Sequence, residues 1–472
     1  MKTTTALTAL SVALVATLSV ATPASAQTSS GPITLTEALR IAESRSETLA
    51  EARANETRAE ADRMRAASGR LPQINLTGSY DRTLASEFSG VFDSSTTSTS
   101  SSSSSSSSGS DVDFSKLPFG QKNVYRATVS LSQSLYNGGR INAQVKQADL
   151  GRQNATLATS GSLAQLQLEV TKAFYDAALA DRLVQIAELG LTQASAAYEQ
   201  TKLSFDAGRQ PEFELLRAQV ARDNQRPTVI RRKADRDTAY LRLRQLLKMP
   251  APEPLSISVD LDVPTLVAPE PFIADLAAAT AAPPKAIRSQ VQQAELLVQI
   301  RTAAIDAVRA DKLPTVNVTS SFGKVGYPSS GIVPGFDDFR TNATVGLQVS
   351  VPLFTGFRQQ ADALAARADL SGAEAQRNQA KALAGLDTES AVNDLAASEA
   401  AWQATAGTIQ QAQRAYEIAE LRYREGLSTQ LELSDSRLAL QVAQANRAVA
   451  ARDVQIARTR VALLKNLPIG AR

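Results

Sequence analysis

Two kinds of periodicity follow one another along the chain. From Ala343 to Leu353, apolar and polar positions alternate strictly. Ala343, Val345, Leu347, Val349, Val351 and Leu353 take one side, and Thr344, Gly346, Gln348 and Ser350 the other. A period of two predicts a strand. The same alternation sets Ala127, Val129, Leu131 and Leu135 against Thr128, Ser130, Ser132 and Ser134. It sets Ile74, Leu76 and Tyr80 against Asn75, Thr77 and Ser79, and Val316, Val318 and Phe322 against Asn317, Thr319 and Ser321. Four strands are predicted, over about 72–82, 125–136, 314–324 and 342–354. Each is roughly the length of a tilted membrane strand. An ordinary sheet resting one face on a core has the same pattern. Here, however, the polar faces are uncharged Ser, Thr, Gln and Asn, and the rest of the chain offers only helices.

After the second and fourth strands the period changes to 3–4. No proline interrupts the stretch from Gly139 to about Ala207. Leu163, Leu166, Val170, Ala173, Ala177, Ala180, Val184, Ala187, Leu191, Ala194, Tyr198, Thr201 and Phe205 form a coiled-coil-like seam. Ala384, Ala391, Leu395, Trp402, Ile409, Ala412, Tyr416, Ala419 and Tyr423 repeat it. A helix of this length reaches about 100 Å. Turns near Gly208 and Gly426 send the chain back along return helices that Pro250 and Pro468 end.

The two halves are copies of one unit. Arg70-Leu-Pro-Gln-Ile-Asn-Leu-Thr-Gly-Ser-Tyr80 returns as Lys312-Leu-Pro-Thr-Val-Asn-Val-Thr-Ser-Ser-Phe322, and Leu135-Tyr-Asn-Gly-Gly-Arg140 as Leu353-Phe-Thr-Gly-Phe-Arg358. Phe205, Gly208 and Glu214 return as Tyr423, Gly426 and Glu432. The organisation expected is a first repeat over 27–250, a linker over 251–271 and a second repeat over 272–472, with hairpin tips at about 206–212 and 424–430. The first repeat carries a longer loop, about 83–123, containing the Ser and Thr tract from Ser94 to Ser110. Such a run buries no apolar surface, so a solvated extracellular loop is expected.

Composition removes most chemistry. The chain has no Cys and no His, which excludes disulfides, nucleophile–His pairs and the usual zinc ligand sets. No residue constellation implies an enzyme or a cofactor. Asp111, Asp113, Asp337 and Asp338 lack EF-hand spacing and read as solvated loop charges. With 50 basic against 47 acidic residues, no basic excess points to nucleic acid. At the start, Lys2, the apolar run Ala6–Val20 and the small-x-small end Ala24-Ser25-Ala26 predict a secretory signal over 1–26.

Four strands cannot close a membrane barrel, and open strand edges are not tolerated in lipid. The chain is therefore expected to share a barrel with copies of itself.

With its repeat, strand pairs and signal, the chain resembles the TolC family of outer-membrane efflux proteins from about Thr34 to Pro468. The most specific marks are the tip segments Phe205-Asp-Ala-Gly208-Arg-Gln-Pro211-Glu-Phe213-Glu214-Leu215 and Tyr423-Arg-Glu-Gly426-Leu427-Ser-Thr429-Gln-Leu431-Glu432-Leu433. The resemblance implies a mainly α fold with membrane β: a homotrimer whose long helical hairpins form an α-barrel across the periplasm, below a shared transmembrane β-barrel in the outer membrane of a Gram-negative bacterium. It implies no catalytic site, no cofactor and no metal. The implied partners are a periplasmic adaptor and an inner-membrane pump, for efflux or type I secretion.

The resemblance also assigns roles at the tips. Gly208, Gly426, Leu427, Ser428 and Thr429 would meet the adaptor. Glu432 and Asp435 would ring the entrance with carboxylates, and Tyr423 would contact Glu214 to hold the gate. The family's best-known member carries a basic residue where this chain has Ser428. Arg217, at the repeat position of Asp435, is the candidate replacement. Simpler readings exist for the same residues: the glycines end helices, and Glu212, Glu214 and Glu432 offset helix dipoles. A periplasmic adaptor or a structural coiled-coil envelope protein would share the long hairpins. Two hairpins in one chain and membrane-type strands speak against both.

Overall fold

The computed structural model describes residues 32–84, 123–250, 255–259, 261, 287–328 and 334–471. The expected signal segment, the Ser tract, Asp111, Asp113 and most of the linker lie outside these residues. In chain order the elements are α1 (Leu35–Arg45), α2 (Glu47–Ser68), β1 (Gln73–Arg82), β2 (Asn123–Tyr136), α3 (Arg140–Asp206), α4 (Glu212–Leu247), α5 (Ser289–Ala310), β3 (Thr315–Gly326), β4 (Phe339–Ser350), α6 (Arg358–Arg424) and α7 (Gln430–Leu463).

The strands form one antiparallel sheet in the order β1-β2-β3-β4. Its register sorts side chains by face. Leu76, Val129, Phe322 and Ala343 form one row, and Asn75, Ser130, Ser321 and Thr344 the next. Apolar side chains therefore fill one face and small polar ones the other. Aromatic residues stand near both ends of the apolar face. Tyr80, Tyr125 and Phe339 share a row, with the two tyrosine rings 4.7 Å apart. Tyr136 pairs with Val316 at the other end, and Phe354 and Phe357 pack edge to face nearby. Membrane barrels carry such girdles on their lipid face.

Two strand details differ from the sequence pattern. A register shift between Ser134 and Tyr136 takes Leu135 out of the apolar row. β4 ends at Ser350, not 354, although alternation continues to Leu353. Pro352 has no N–H to donate, so the ladder cannot extend through it.

Two 67-residue helices, α3 and α6, each run about 100 Å. Two shorter helices stacked end to end accompany each of them. Beside α3, the end of α4 meets the start of α2, where Lys248 pairs with Glu47 at 3.1 Å. Beside α6, the end of α7 meets the start of α5, where the Ser289 amide donates to the Lys465 carbonyl at 2.8 Å. α2 and α5, 22 residues each, do not emerge from the periodicity. α2 buries only Leu49, so it has almost no apolar stripe to read.

The lower layer runs α4-α3-α7-α6 and the upper layer α2-α3-α5-α6. The largest core sits at mid-height, where Phe174, Val170 and Leu166 of α3 meet α1 and the end of α4 through Leu39, Leu243 and Leu247. Beside it a buried ion network ties the second repeat together. Asp387 accepts from Arg288 at 2.8 Å and from Arg460 at 2.9 Å. Arg288 also reaches the Leu467 carbonyl.

Candidate functional site at the hairpin tips

Both hairpins turn in the same way. Gly208 and Gly426 have φ of +69° and +72°, a left-handed conformation that side chains with a Cβ adopt only under strain. The Arg209 amide donates to the Ser204 carbonyl, and the Leu427 amide to the Arg422 carbonyl, both at 2.8 Å. These bonds close the ends of α3 and α6 as Schellman caps. The return helices start differently. The Thr429 hydroxyl accepts from the Glu432 amide at 3.4 Å, whereas Pro211 precedes α4 without a side-chain cap.

One buried hydrogen bond joins the two hairpins just above the tips. The Tyr423 hydroxyl lies 2.5 Å from Thr201 Oγ1, and Thr201 Oγ1 lies 2.7 Å from the Ala197 carbonyl. Thr201 has a single hydroxyl proton, and its bond to the Ala197 carbonyl, which can only accept, uses it. Tyr423 is therefore the donor across the hairpins. Burial pushes the Tyr423 pKa up, the Thr201 bond opposes this, and the Glu214 charge adds to the rise.

Thr201, not Glu214, is thus the hydrogen-bond partner of Tyr423, while Glu214 is near enough to be felt electrostatically. Glu214 Oε2 and Ser428 Oγ are both buried without a hydrogen-bond partner. Arg217 lies 5.4 Å from the Phe213 ring centre and forms no ion pair with Asp435 within the chain. Glu432 and Asp435 are both exposed on α7. Arg422 approaches Glu432 at 3.8 Å, whereas Asp435 forms no ion pair. Leu427 is exposed at the second tip.

Thr201 stood in the sequence as the one non-aromatic polar side chain on an otherwise apolar and aromatic seam, which is the signal for a buried polar partner. Among the described residues no cluster of three or more acidic side chains is placed to hold a metal ion. No described helix is long and apolar enough to cross a membrane, which says nothing of the strands.

The sequence model of the outer membrane efflux protein family matches residues 38–247 and 285–466, covering both repeats. The chain belongs to the outer membrane efflux protein family. Its place is accordingly the outer membrane, with the helices extending into the periplasm. Among curated relatives, protein CyaE of Bordetella pertussis is 25% identical over 281 residues, 59% of this chain and 57% of CyaE. The chain thus matches little more than half the length of that relative. Two solved outer-membrane proteins share the fold. VceC of Vibrio cholerae has a TM-score of 0.70 at 17% identity, over 91% of this chain and 96% of VceC. The MtrE outer membrane channel of Neisseria gonorrhoeae, in an open state, has a TM-score of 0.69 at 20% identity, over 93% and 90%. The family is one of outer-membrane efflux proteins, and MtrE is a channel.

Proposed function

We propose that the chain is one of three identical subunits of an outer-membrane channel that passes substrates from a periplasmic adaptor and an inner-membrane pump to the exterior. The observation that carries this reading is a matched pair of open edges. In the sheet, β1 and β4 each leave one side unpaired. In the helical layer, α4 exposes Phe213, Leu216, Val220, Ile230 and Leu241, and α6 exposes Leu364, Leu383, Leu386, Ile418 and Leu421. β1 and α4 belong to the first repeat, and β4 and α6 to the second. A single rotation setting the second repeat of one copy against the first repeat of the next closes both layers together. Three copies supply twelve strands and put the apolar sheet face toward lipid. The polar Ser, Thr, Asn and Gln face then lines the lumen. The resemblance noted from the tip motifs supports tripartite efflux or type I secretion as the setting.

Native mass measurement of the full chain in detergent tests the assembly. A mass of three subunits is expected. A stable monomer would remove the shared barrel, since lone strand edges cannot persist in lipid.

A further inference from the structure

A cavity of about 280 Å³ opens between the two hairpins, extending from Tyr423 of the Thr201–Tyr423 bond up to Thr192. Its walls come from α3, α6 and α7. Arg437 of α7 lines it and is only 4% exposed, yet forms no hydrogen bond or ion pair among the described residues. The residue interrupts a buried stripe otherwise made by Leu433 and Leu440. Gln219 holds the equivalent place in the first repeat, so the charge belongs to one hairpin alone. Gln193 and Gln200 of α3 also line the cavity, and the Tyr416 ring forms part of the wall. Glu420 lies on the same wall, but its carboxylate is engaged by Arg424 at 3.1 Å. The three charged walls therefore sum to one positive charge, carried by the residue with no counter-ion.

The Arg437 side chain is largely desolvated and lines the cavity without an acceptor among the described residues, and the planar fork of a guanidinium suits carboxylates and phosphate-like anions. We propose that this cavity binds a small oxyanion or carboxylate, held by Arg437 and by the amides of the facing hairpin. Because its walls come from both hairpins, a bound anion bridges them and favours the packing seen here. Burial already disfavours the charged form of Arg437, and the Tyr416 ring nearby only partly offsets this. An anion supplies the missing compensation.

The test is calorimetric titration of the full-length protein in detergent with inorganic phosphate, with sodium acetate as the carboxylate arm and sodium chloride as the salt control. Arg437→Met, which removes an unpaired buried charge, is expected to fold. It should lose at least about tenfold in phosphate affinity, since charge-assisted bonds dominate such sites. Phosphate should also slow amide exchange across 192–200 and 416–437 in the unmutated protein. That readout decides the matter should the variant fail to assemble. Absence of phosphate and acetate binding, wild-type affinity in Arg437→Met, or protection confined to other segments would each overturn the site.

Discussion

At the scale of single residues, the tip contact has a direction. Tyr423 donates, Thr201 accepts, and Thr201 passes its own proton to the Ala197 carbonyl. Removing the donor and removing the acceptor therefore differ. Tyr423→Phe leaves Thr201 satisfied by its own helix and loses about 0.5–1.5 kcal/mol per subunit. Thr201→Val strands a buried phenol hydroxyl, which costs about 1–3 kcal/mol. If this bond holds the hairpins together, both variants should raise single-channel conductance in planar bilayers, Thr201→Val the more. Conductance unchanged in both would take the pair out of the gate. Sequence carried this site only in part. Tyr423 is visible because the first repeat has Phe205 at its position, so a hydroxyl has been added to one copy. Its partner is not visible, because the distance across two hairpins depends on how α3 packs against α6 and α7. The orphaned Ser428 hydroxyl and Arg437 guanidinium escape for the same reason: a residue type does not announce that it lacks a partner.

At the scale of elements, what was legible depended on the width of the apolar stripe. The seams of α3 and α6 could be read from Leu163 and Ala384 onward, and so could the turns that end them. α2 and α5 could not, because they complete a layer laid against long helices and bury little of their own. The end of β4 needed the backbone chemistry of Pro352 in addition to the alternation. The stacked joints between shorter helices are also tertiary, and the joint of α7 with α5 rests on charge. Asp387 is about 10% exposed in its side chain, with Arg288 at 5% and Arg460 at 12%. Asp387→Ala would leave Arg288 buried without a carboxylate and take from Arg460 its buried one, and should destabilise by about 3–5 kcal/mol. Asp394, the other partner of Arg460, is far more exposed, so Asp394→Ala should cost no more than about 1 kcal/mol. Denaturant melts of the two variants compare them directly. Equal losses would mean that the Arg288–Asp387–Arg460 network does not hold the joint.

At the scale of the whole molecule, symmetry turns a weak local feature into a strong one. Glu432 and Asp435 stand three residues apart on one face of α7, and both are exposed within the subunit. In a trimer whose α7 faces look inward, six carboxylates surround the axis. Like charges around a narrow opening repel one another, so the ring gains by taking up a cation. Acidic rings are also a common source of cation selectivity in pores. The two members are not equivalent. Arg422 lies 3.8 Å from Glu432 and offsets part of its charge, whereas Asp435 has no cation beside it in the chain. The Glu432 amide is capped by Thr429, which ties that residue to the start of the helix as well. Asp435→Asn should therefore weaken cation selectivity and block by multivalent cations from the periplasmic side more than Glu432→Gln does. The double change should abolish the block with assembly intact. The competing account makes both acids stabilisers of the helix start. It requires the opposite ranking in thermal stability, with Glu432→Gln the more harmful, and no change in ion flow. Bilayer recordings with a trivalent cation added to the periplasmic side separate the two. Block that survives in the double variant would place the selectivity elsewhere in the tunnel.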